Sequence, residues 1–78
     1  MNILVDDAIS AKCRDSLVTI QFRSGHTLSF PIQGNARLEK ASEAQLNEIE
    51  LSPFGLHWPA LDEDLSFEGI MRGDYGQR

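Results

Sequence analysis

The stretch that decides the fold runs from Leu17 to Ile32 and reads LVTIQFRSGHTLSFPI. Apolar and polar residues alternate on both sides of Ser24-Gly25, and the apolar ones are mostly β-branched or aromatic. Alternation with a period of two is typical of strands that bury one face. The stretch therefore predicts a β-hairpin whose two apolar faces point towards a common core.

The length of the hairpin loop follows from the requirement that the apolar faces coincide. A two-residue loop, Ser24-Gly25, would place apolar residues of one strand opposite polar residues of the other. A three-residue loop over residues 23–25 instead sets Ile20 opposite Leu28. It also puts Gly25 at the position where a type I turn with a G1 bulge needs a left-handed backbone. We therefore predict the three-residue loop.

Weaker signals upstream extend the hairpin by one strand. Residues 9–13 alternate between apolar and polar and are followed by a turn signal, Asp15-Ser16. This pattern predicts a first strand and hence a three-stranded antiparallel meander. Pro31 cannot donate a ladder hydrogen bond, so the third strand lies at an edge or ends there.

Downstream of the meander, capping signals predict short helices. Asn35 is suited to cap one or two helical turns, residues 42–45 match a capping box, and Ser66 is suited to cap a last short helix. Two short segments alternate like strands, residues 48–51 and residues 56–58.

Together these elements predict a single α+β domain over residues 1–78. We expect a small antiparallel sheet, made of the three-stranded meander plus one or two short strands. Two or three short helices should cover it, because an open sheet needs a cover on its apolar face. The core is expected in residues 8–73, and the C-terminal tail, residues 74–78, is expected to fray.

Composition argues against several classes of protein. Apolar residues make up 41% of the 78 residues, enough for one core, and the longest apolar run, residues 3–5, is far shorter than the roughly 20 residues of a membrane span. The opening residues lack the basic start and apolar run of a signal peptide. Cys13 is the only cysteine, so neither an intrachain disulfide nor a structural zinc site is expected. We expect a cytoplasmic protein without a cofactor.

The net charge of −5 is unevenly distributed. The first forty residues are nearly neutral, whereas residues 41–70 contain no Lys or Arg and seven carboxylates: Glu43, Glu48, Glu50, Asp62, Glu63, Asp64 and Glu68. Such a surface repels phosphate and favours a basic partner. The alternative is a solvated acidic face that only keeps a small protein soluble.

The residues that could carry catalysis are few and poorly placed. Cys13 is one of the alternating apolar residues of the first predicted strand and is therefore expected to be buried. His26 lies in the predicted hairpin, and His57 is adjacent to Trp58 in sequence. The acids at 62–64 do not fit a calcium loop and have no histidine partner at metal-ligand spacing. We therefore predict neither an enzyme nor a metal site.

The densest segment, residues 56–65, reads LHWPALDEDL and admits two interpretations. Trp58 either plugs the open end of the sheet or anchors a partner within a ring of charge, as interface hot spots often do. On the second interpretation, the partner-binding residues are His57, Trp58, Asp62, Glu63 and Asp64, with Glu48 and Glu50 as a flanking acidic rim.

The same segment, extended to residues 55–70, resembles the C-terminal signature of the bacterial domain of unknown function family 2442, Trp-Pro-x-Leu-Asp-x-Asp-Leu-Ser. The resemblance covers about residues 9–73. Phe67 and Ile70 stand where the family commonly has Val and Leu, and Ser24 stands where it commonly has Asp. The resemblance implies a small α+β fold and no established activity, cofactor or catalytic residue.

The resemblance also implies a partner, because genes of the family often neighbour another small gene. Our first expectation is a protein-binding module, an antitoxin-like or accessory partner of a basic protein. A close variant is an acidic inhibitor that mimics nucleic acid. The second class is a nucleic-acid-binding regulator that uses Lys12, Arg14, Arg23 and Arg37, although direct nucleic-acid binding fits the acidic composition poorly. We expect no membrane association, and a homodimer is an open alternative.

Overall fold

The structure, a computed structural model, describes residues 7–77. The apolar run at residues 3–5 and the last residue of the predicted tail lie outside the described residues. In chain order the elements are β1 (Ala8–Arg14), β2 (Leu17–Phe22), β3 (Thr27–Pro31), α1 (Ala36–Glu39), α2 (Glu43–Leu46), β4 (Glu50–Leu51), β5 (Gly55–Trp58), β6 (Glu63–Ser66) and α3 (Phe67–Met71). Among these residues, no helix is long and apolar enough to cross a membrane.

The strands form two antiparallel sheets, ordered β1-β2-β3 and β4-β5-β6. The predicted α+β class and the predicted meander are confirmed. Sequence patterning predicts one or two short strands beyond the meander, whereas the described residues contain three, which build a sheet of their own. The additional strand, β6, was hidden because residues 62–64 are all acidic and show no apolar alternation.

The second hairpin of the meander has the predicted three-residue loop. Ile20 lies opposite Leu28, and the amide of Phe22 donates to the carbonyl of His26 at 2.9 Å. Gly25 has a φ of +97°, which places it in the region that favours glycine. The register predicted from the alternation of apolar residues is therefore confirmed.

The outer edge of β1 is closed by a side chain. The amide of Cys13 donates to Oδ1 of Asn47 at 2.9 Å, and Nδ2 of Asn47 donates to the carbonyl of Cys13 at 3.2 Å. The Asn47 amide therefore takes the place of a neighbouring strand at this point. Because unpaired strand edges favour unwanted pairing with other chains, the contact protects the first sheet.

The inner faces of both sheets and the three helices share one core. Phe22 and Phe67 meet edge to face with ring centroids 5.3 Å apart, which joins the meander to the last helix. The buried apolar residues are Cys13, Val18, Ile20, Phe22, Phe30, Ile32, Leu38, Leu46, Leu56, Trp58, Leu65, Phe67 and Ile70.

The predicted helix caps are confirmed. The side chains of Asn35, Ser42 and Ser66 each accept a backbone hydrogen bond at the start of α1, α2 and α3, and Gln45 completes the capping box of α2. These helices have only four or five residues each, so the caps satisfy much of their free backbone.

The C-terminal tail packs more closely than expected. The ring of Tyr75 stacks on Phe30 with centroids 5.5 Å apart, and the carbonyl of Tyr75 accepts a hydrogen bond from Nδ2 of Asn35 at 3.0 Å. The predicted fraying therefore does not extend to Tyr75, because its aromatic ring covers part of the meander core.

Gly25→Val is expected to reduce the free energy of unfolding by about 1–2 kcal/mol, because a side chain disfavours the left-handed backbone. No atom lies within 4 Å of a Cβ built at Gly25, so the loss would come from the backbone alone. Gly25→Asn should lose less, since Asn tolerates positive φ better. Urea unfolding checks this, and equal losses for the two variants would contradict it. Ser24→Ala is not a neutral control, because the Ser24 hydroxyl accepts from the His26 amide at 3.3 Å.

Candidate functional site

The hairpin of β5 and β6 divides the predicted partner-binding residues between two faces. Trp58 lies opposite Glu63, and His57 lies opposite Asp64. Because side chains alternate along a strand, the first pair points to the core and the second pair points outwards. The burial pattern agrees: Trp58 and Glu63 are buried, Asp64 is exposed and His57 is half-buried.

Trp58 is a core residue with an exposed fraction of 0%. Its Nε1 donates to the carbonyl of Leu46 at 3.0 Å, which satisfies a carbonyl at the end of α2. The interpretation of Trp58 as a plug is therefore the one that the structure supports. Its assignment as an anchor for a partner is corrected, because a fully buried indole offers no surface to another protein.

Glu63 is also removed from the predicted site, because its exposed fraction is only 9%. Its Oε2 accepts from Nδ2 of Asn35 at 2.9 Å, and the same nitrogen donates to the carbonyl of Tyr75. The carboxylate thus ties β6 to the start of α1 and, through the side chain of Asn35, to the tail. Among the three acids at residues 62–64, Glu63 faces inwards because successive side chains along a strand point to opposite faces.

The outer face of the second sheet retains three of the predicted residues in a single row. Glu50 lies opposite His57, which lies opposite Asp64. Nδ1 of His57 is 2.7 Å from Oδ1 of Asp64, whose side chain is 76% exposed. Two carboxylates therefore flank one imidazole on a surface that a partner can reach. We call these three residues the acidic row.

Beside the acidic row runs a shallow groove of about 180 Å³. Gly55 contributes no side chain to it, and Phe54 stands at its border with an exposed fraction of 71%. The residues that line the groove are Ser52, Phe54, Gly55, Leu56, His57, Asp64, Leu65 and Ser66. The outer face therefore combines an exposed aromatic ring with negative charge.

A tight turn holds Phe54 in this exposed position. Oγ of Ser52 accepts from the amides of Phe54 and Gly55 at 3.2 and 3.1 Å, and the amide of Ser52 donates to the carbonyl of Gly55 at 3.0 Å. Pro53 further restricts the backbone of the turn. Phe54 was not predicted as a site residue, because it falls between the two strand-like segments at residues 48–51 and 56–58. The signal in the sequence was Ser-Pro-x-Gly at residues 52–55, which is typical of a turn between two strands.

The two remaining predicted residues, Glu48 and Asp62, are exposed. Neither side chain forms a hydrogen bond or ion pair with the acidic row among the described residues. The carbonyl of Asp62 accepts from Nη1 of Arg37 at 3.1 Å. They contribute to the negative surface without belonging to the groove.

Of the three candidate catalytic residues, only His57 belongs to this surface, whereas Cys13 lies in β1 and His26 in the loop between β2 and β3. Burial raises the pKa of the Cys13 thiol, and the nearby carboxylate of Glu43 raises it further. The thiol is therefore protonated at neutral pH and is a poor nucleophile. His26 is exposed and hydrogen bonds locally to Ser24. Within residues 7–77, no group of three or more His, Cys, Asp or Glu side chains is arranged to hold a metal ion.

Comparison with protein families identifies the chain. A family described as "Protein of unknown function (DUF2442)" matches residues 8–76. The chain belongs to the DUF2442 family. The resemblance of the C-terminal segment to domain of unknown function family 2442 is thus confirmed at the level of the family. The matched range includes both sheets and the candidate surface.

Two solved structures share the fold of this DUF2442 protein. A protein of unknown function from Rhodospirillum rubrum is 35% identical, with a TM-score of 0.79 over 94% of this chain and 93% of the other. An uncharacterised protein from Chromobacterium violaceum is 27% identical, with a TM-score of 0.75 over 91% of this chain and 69% of the other. Comparison with curated proteins gives no match.

Proposed function

We propose that this DUF2442 protein is a non-catalytic protein-binding module that engages a basic partner through the outer face of its second sheet. The observation that carries the proposal is Phe54, an aromatic ring that is 71% exposed and is held by a tight turn beside the acidic row. An accessory or antitoxin-like role in the bacterial cytoplasm is the cellular setting that we propose.

The chemistry of the surface favours a bipartite interface. An aromatic side chain that enters an apolar pocket of a partner typically carries a large share of the binding energy. The turn at Ser52 fixes the backbone of Phe54 before binding, so little backbone entropy is lost on association. The acidic row can pair with Lys or Arg side chains around that pocket.

The charge of the surrounding surface supports a basic partner. Six of the seven carboxylates in residues 41–70 are exposed, and the same residues contain no Lys or Arg. Exposed charges of one sign accelerate the encounter with a partner of opposite charge. An inhibitor that occupies the nucleic-acid groove of another protein would be one form of this interaction.

A nucleic-acid-binding regulator is supported less well. Arg23 pairs with Asp7 at 3.5 Å, and Arg37 donates to two backbone carbonyls. Two of the four cationic side chains expected to contact phosphate are therefore engaged elsewhere. Lys12 and Arg14 alone would neutralise few phosphates.

Phe54→Ser is expected to lower the recovery of the partner about tenfold, as loss of an interface anchor would. The measurement is an affinity pull-down from the native host at low salt, quantified by mass spectrometry. Met71→Ser is the matched control, because Met71 is 56% exposed on α3 and lies outside the groove. The proposal would be contradicted if both variants recover the same proteins as the unchanged chain, or if the proteins that depend on Phe54 are not basic.

A further inference from the structure

The outer face of the first sheet carries charge of the opposite sign. Lys12 lies opposite Thr19, which lies opposite Ser29, and Arg14 lies opposite Leu17. Lys12 and Arg14 are both exposed, and neither forms an ion pair within residues 7–77. The ion pairs of the described residues involve Arg23, His57 and Arg72. Two adjacent cations on this face are therefore available to a partner.

Both cations line a groove that also contains an exposed leucine. It has a volume of about 300 Å³ and is lined by Lys12, Arg14, Asp15, Leu17 and Thr19. Leu17 is 43% exposed, because it lies on the outer face of β2, whereas Val18, Ile20 and Phe22 on the inner face are buried. The groove thus combines an apolar side chain opposite Arg14 with the charges of Lys12, Arg14 and Asp15, which sum to a net positive charge. We call it the basic groove.

The two outer faces are complementary. The basic groove offers two cations, one carboxylate and an exposed leucine, and the second sheet offers two carboxylates beside an exposed phenylalanine. We propose that the basic groove binds the acidic face of a second copy of this chain. In this contact Phe54 packs against Leu17, and the carboxylates of the acidic row face the two cations. The inference rests on the proposed function, because it uses the same acidic face.

The geometry of this contact determines how association proceeds. The two surfaces differ, so the contact is heterologous, and a pair of molecules still has one free surface of each kind. Association therefore continues beyond the dimer, towards a ring or a chain of molecules. It also covers Phe54, so a basic partner and a second copy compete for one surface.

Ionic strength separates the local attraction from the repulsion between whole molecules. The net charge of −5 is spread over a molecule whose extents are 34 × 22 × 21 Å. At about 0.1 M salt the screening length is about 10 Å, so repulsion across whole molecules is weakened while contacts at the interface persist. At about 1 M salt, with a screening length of about 3 Å, the contacts are screened as well.

Sedimentation velocity at a series of protein concentrations tests the proposal. At about 0.1 M salt the average mass should rise with concentration, and at about 1 M salt the dissociation constant should increase about tenfold or more. Two variants reverse the charge of one face each. Lys12→Glu/Arg14→Glu and Glu50→Lys/Asp64→Lys should each stay monomeric, whereas an equimolar mixture of the two should associate, because each then offers the surface that the other lacks.

A matched control separates local from overall charge. Lys40→Glu/Arg72→Glu changes the net charge by the same amount as Lys12→Glu/Arg14→Glu, but it lies outside both grooves. It should associate like the unchanged chain. Circular dichroism establishes that each variant is folded. The proposal is overturned if the unchanged chain stays monomeric at millimolar concentration, if both face variants still associate, or if their mixture does not.

The same variants distinguish failure of this inference from failure of the proposed function. Lys12→Glu/Arg14→Glu keeps its acidic face, so it should still recover the basic partner in the pull-down described above. Recovery by this variant together with a monomeric unchanged chain would overturn self-association alone. If this variant no longer recovered the basic partner, the claim that the partner binds the acidic face without using the basic groove would be contradicted.

Discussion

Trp58→Ala is expected to abolish stable folding at physiological temperature. Truncation of a buried aromatic residue typically costs about 3–5 kcal/mol, and domains of this size have only about 5 kcal/mol or somewhat more in total. The indole is fully buried, and its loss also leaves the carbonyl of Leu46 without its donor. The variant should therefore show little cooperative unfolding in urea.

The neighbouring residue provides the control for this experiment. His57→Ala lies on the same strand, but its side chain points to the outer face and pairs with Asp64. Its loss should cost about 1 kcal/mol or less, as is usual for cross-strand and surface pairs. Equal destabilisation by the two substitutions would contradict the assignment of opposite faces.

Gly55→Ala is expected to be nearly as damaging, although it adds only one methyl group. A Cβ at this position would clash with the carbonyl oxygen of Leu65 and would lie 2.8 Å from the Cα of Ser66. Both are backbone atoms, so β5 and β6 must move apart. Overpacking typically costs about 1–3 kcal/mol, and displacement of a strand pair should place this variant at or above that range.

Gly25→Ala is the matched control for Gly55→Ala. It adds the same methyl group at a position where no atom lies within 4 Å. The only expected loss of stability comes from the positive φ of this residue, which a side chain disfavours. We expect urea unfolding to show a clearly smaller loss, of about 1 kcal/mol. If Gly55→Ala proves as stable as Gly25→Ala, the close approach of the two strands is wrong.

Local signals explain what could be predicted of the fold. The register of the second hairpin follows from the alternation around Gly25, and each helix cap lies within three residues of the amide that it serves. β6 was missed because its acids mask the strand period. Asn47 was missed as well, because it closes the edge of β1 across 34 residues of sequence.

The candidate site was predicted only in part, for a related reason. The size of Trp58 suggested an anchor, but exposure depends on which face of the strand a residue occupies. The face that Trp58 occupies depends on its pairing with Glu63 across the hairpin. Composition does not reveal this pairing. Phe54 is exposed because a tight turn holds it outside the core. Glu50, His57 and Asp64 were among the predicted residues, but their alignment across three strands was not predicted.

The central claim is that outward-facing residues of the second sheet recruit a basic partner, whereas inward-facing residues hold the fold. The variant that tests it is Glu50→Gln/Asp64→Asn. It spares Glu63, because that carboxylate is buried and hydrogen bonded to Asn35. Exposed charges contribute little to stability, so the variant should fold normally.

The measurement is the association rate constant with the captured partner, by stopped flow, at about 0.01 M and about 0.15 M salt, where the screening length falls from about 30 to about 8 Å. For the unchanged chain, we expect the rate constant to fall about tenfold or more while the dissociation rate changes little. The variant should associate slowly at both salt concentrations. If both proteins associate at the same rate and neither responds to salt, the acidic row does not recruit the partner.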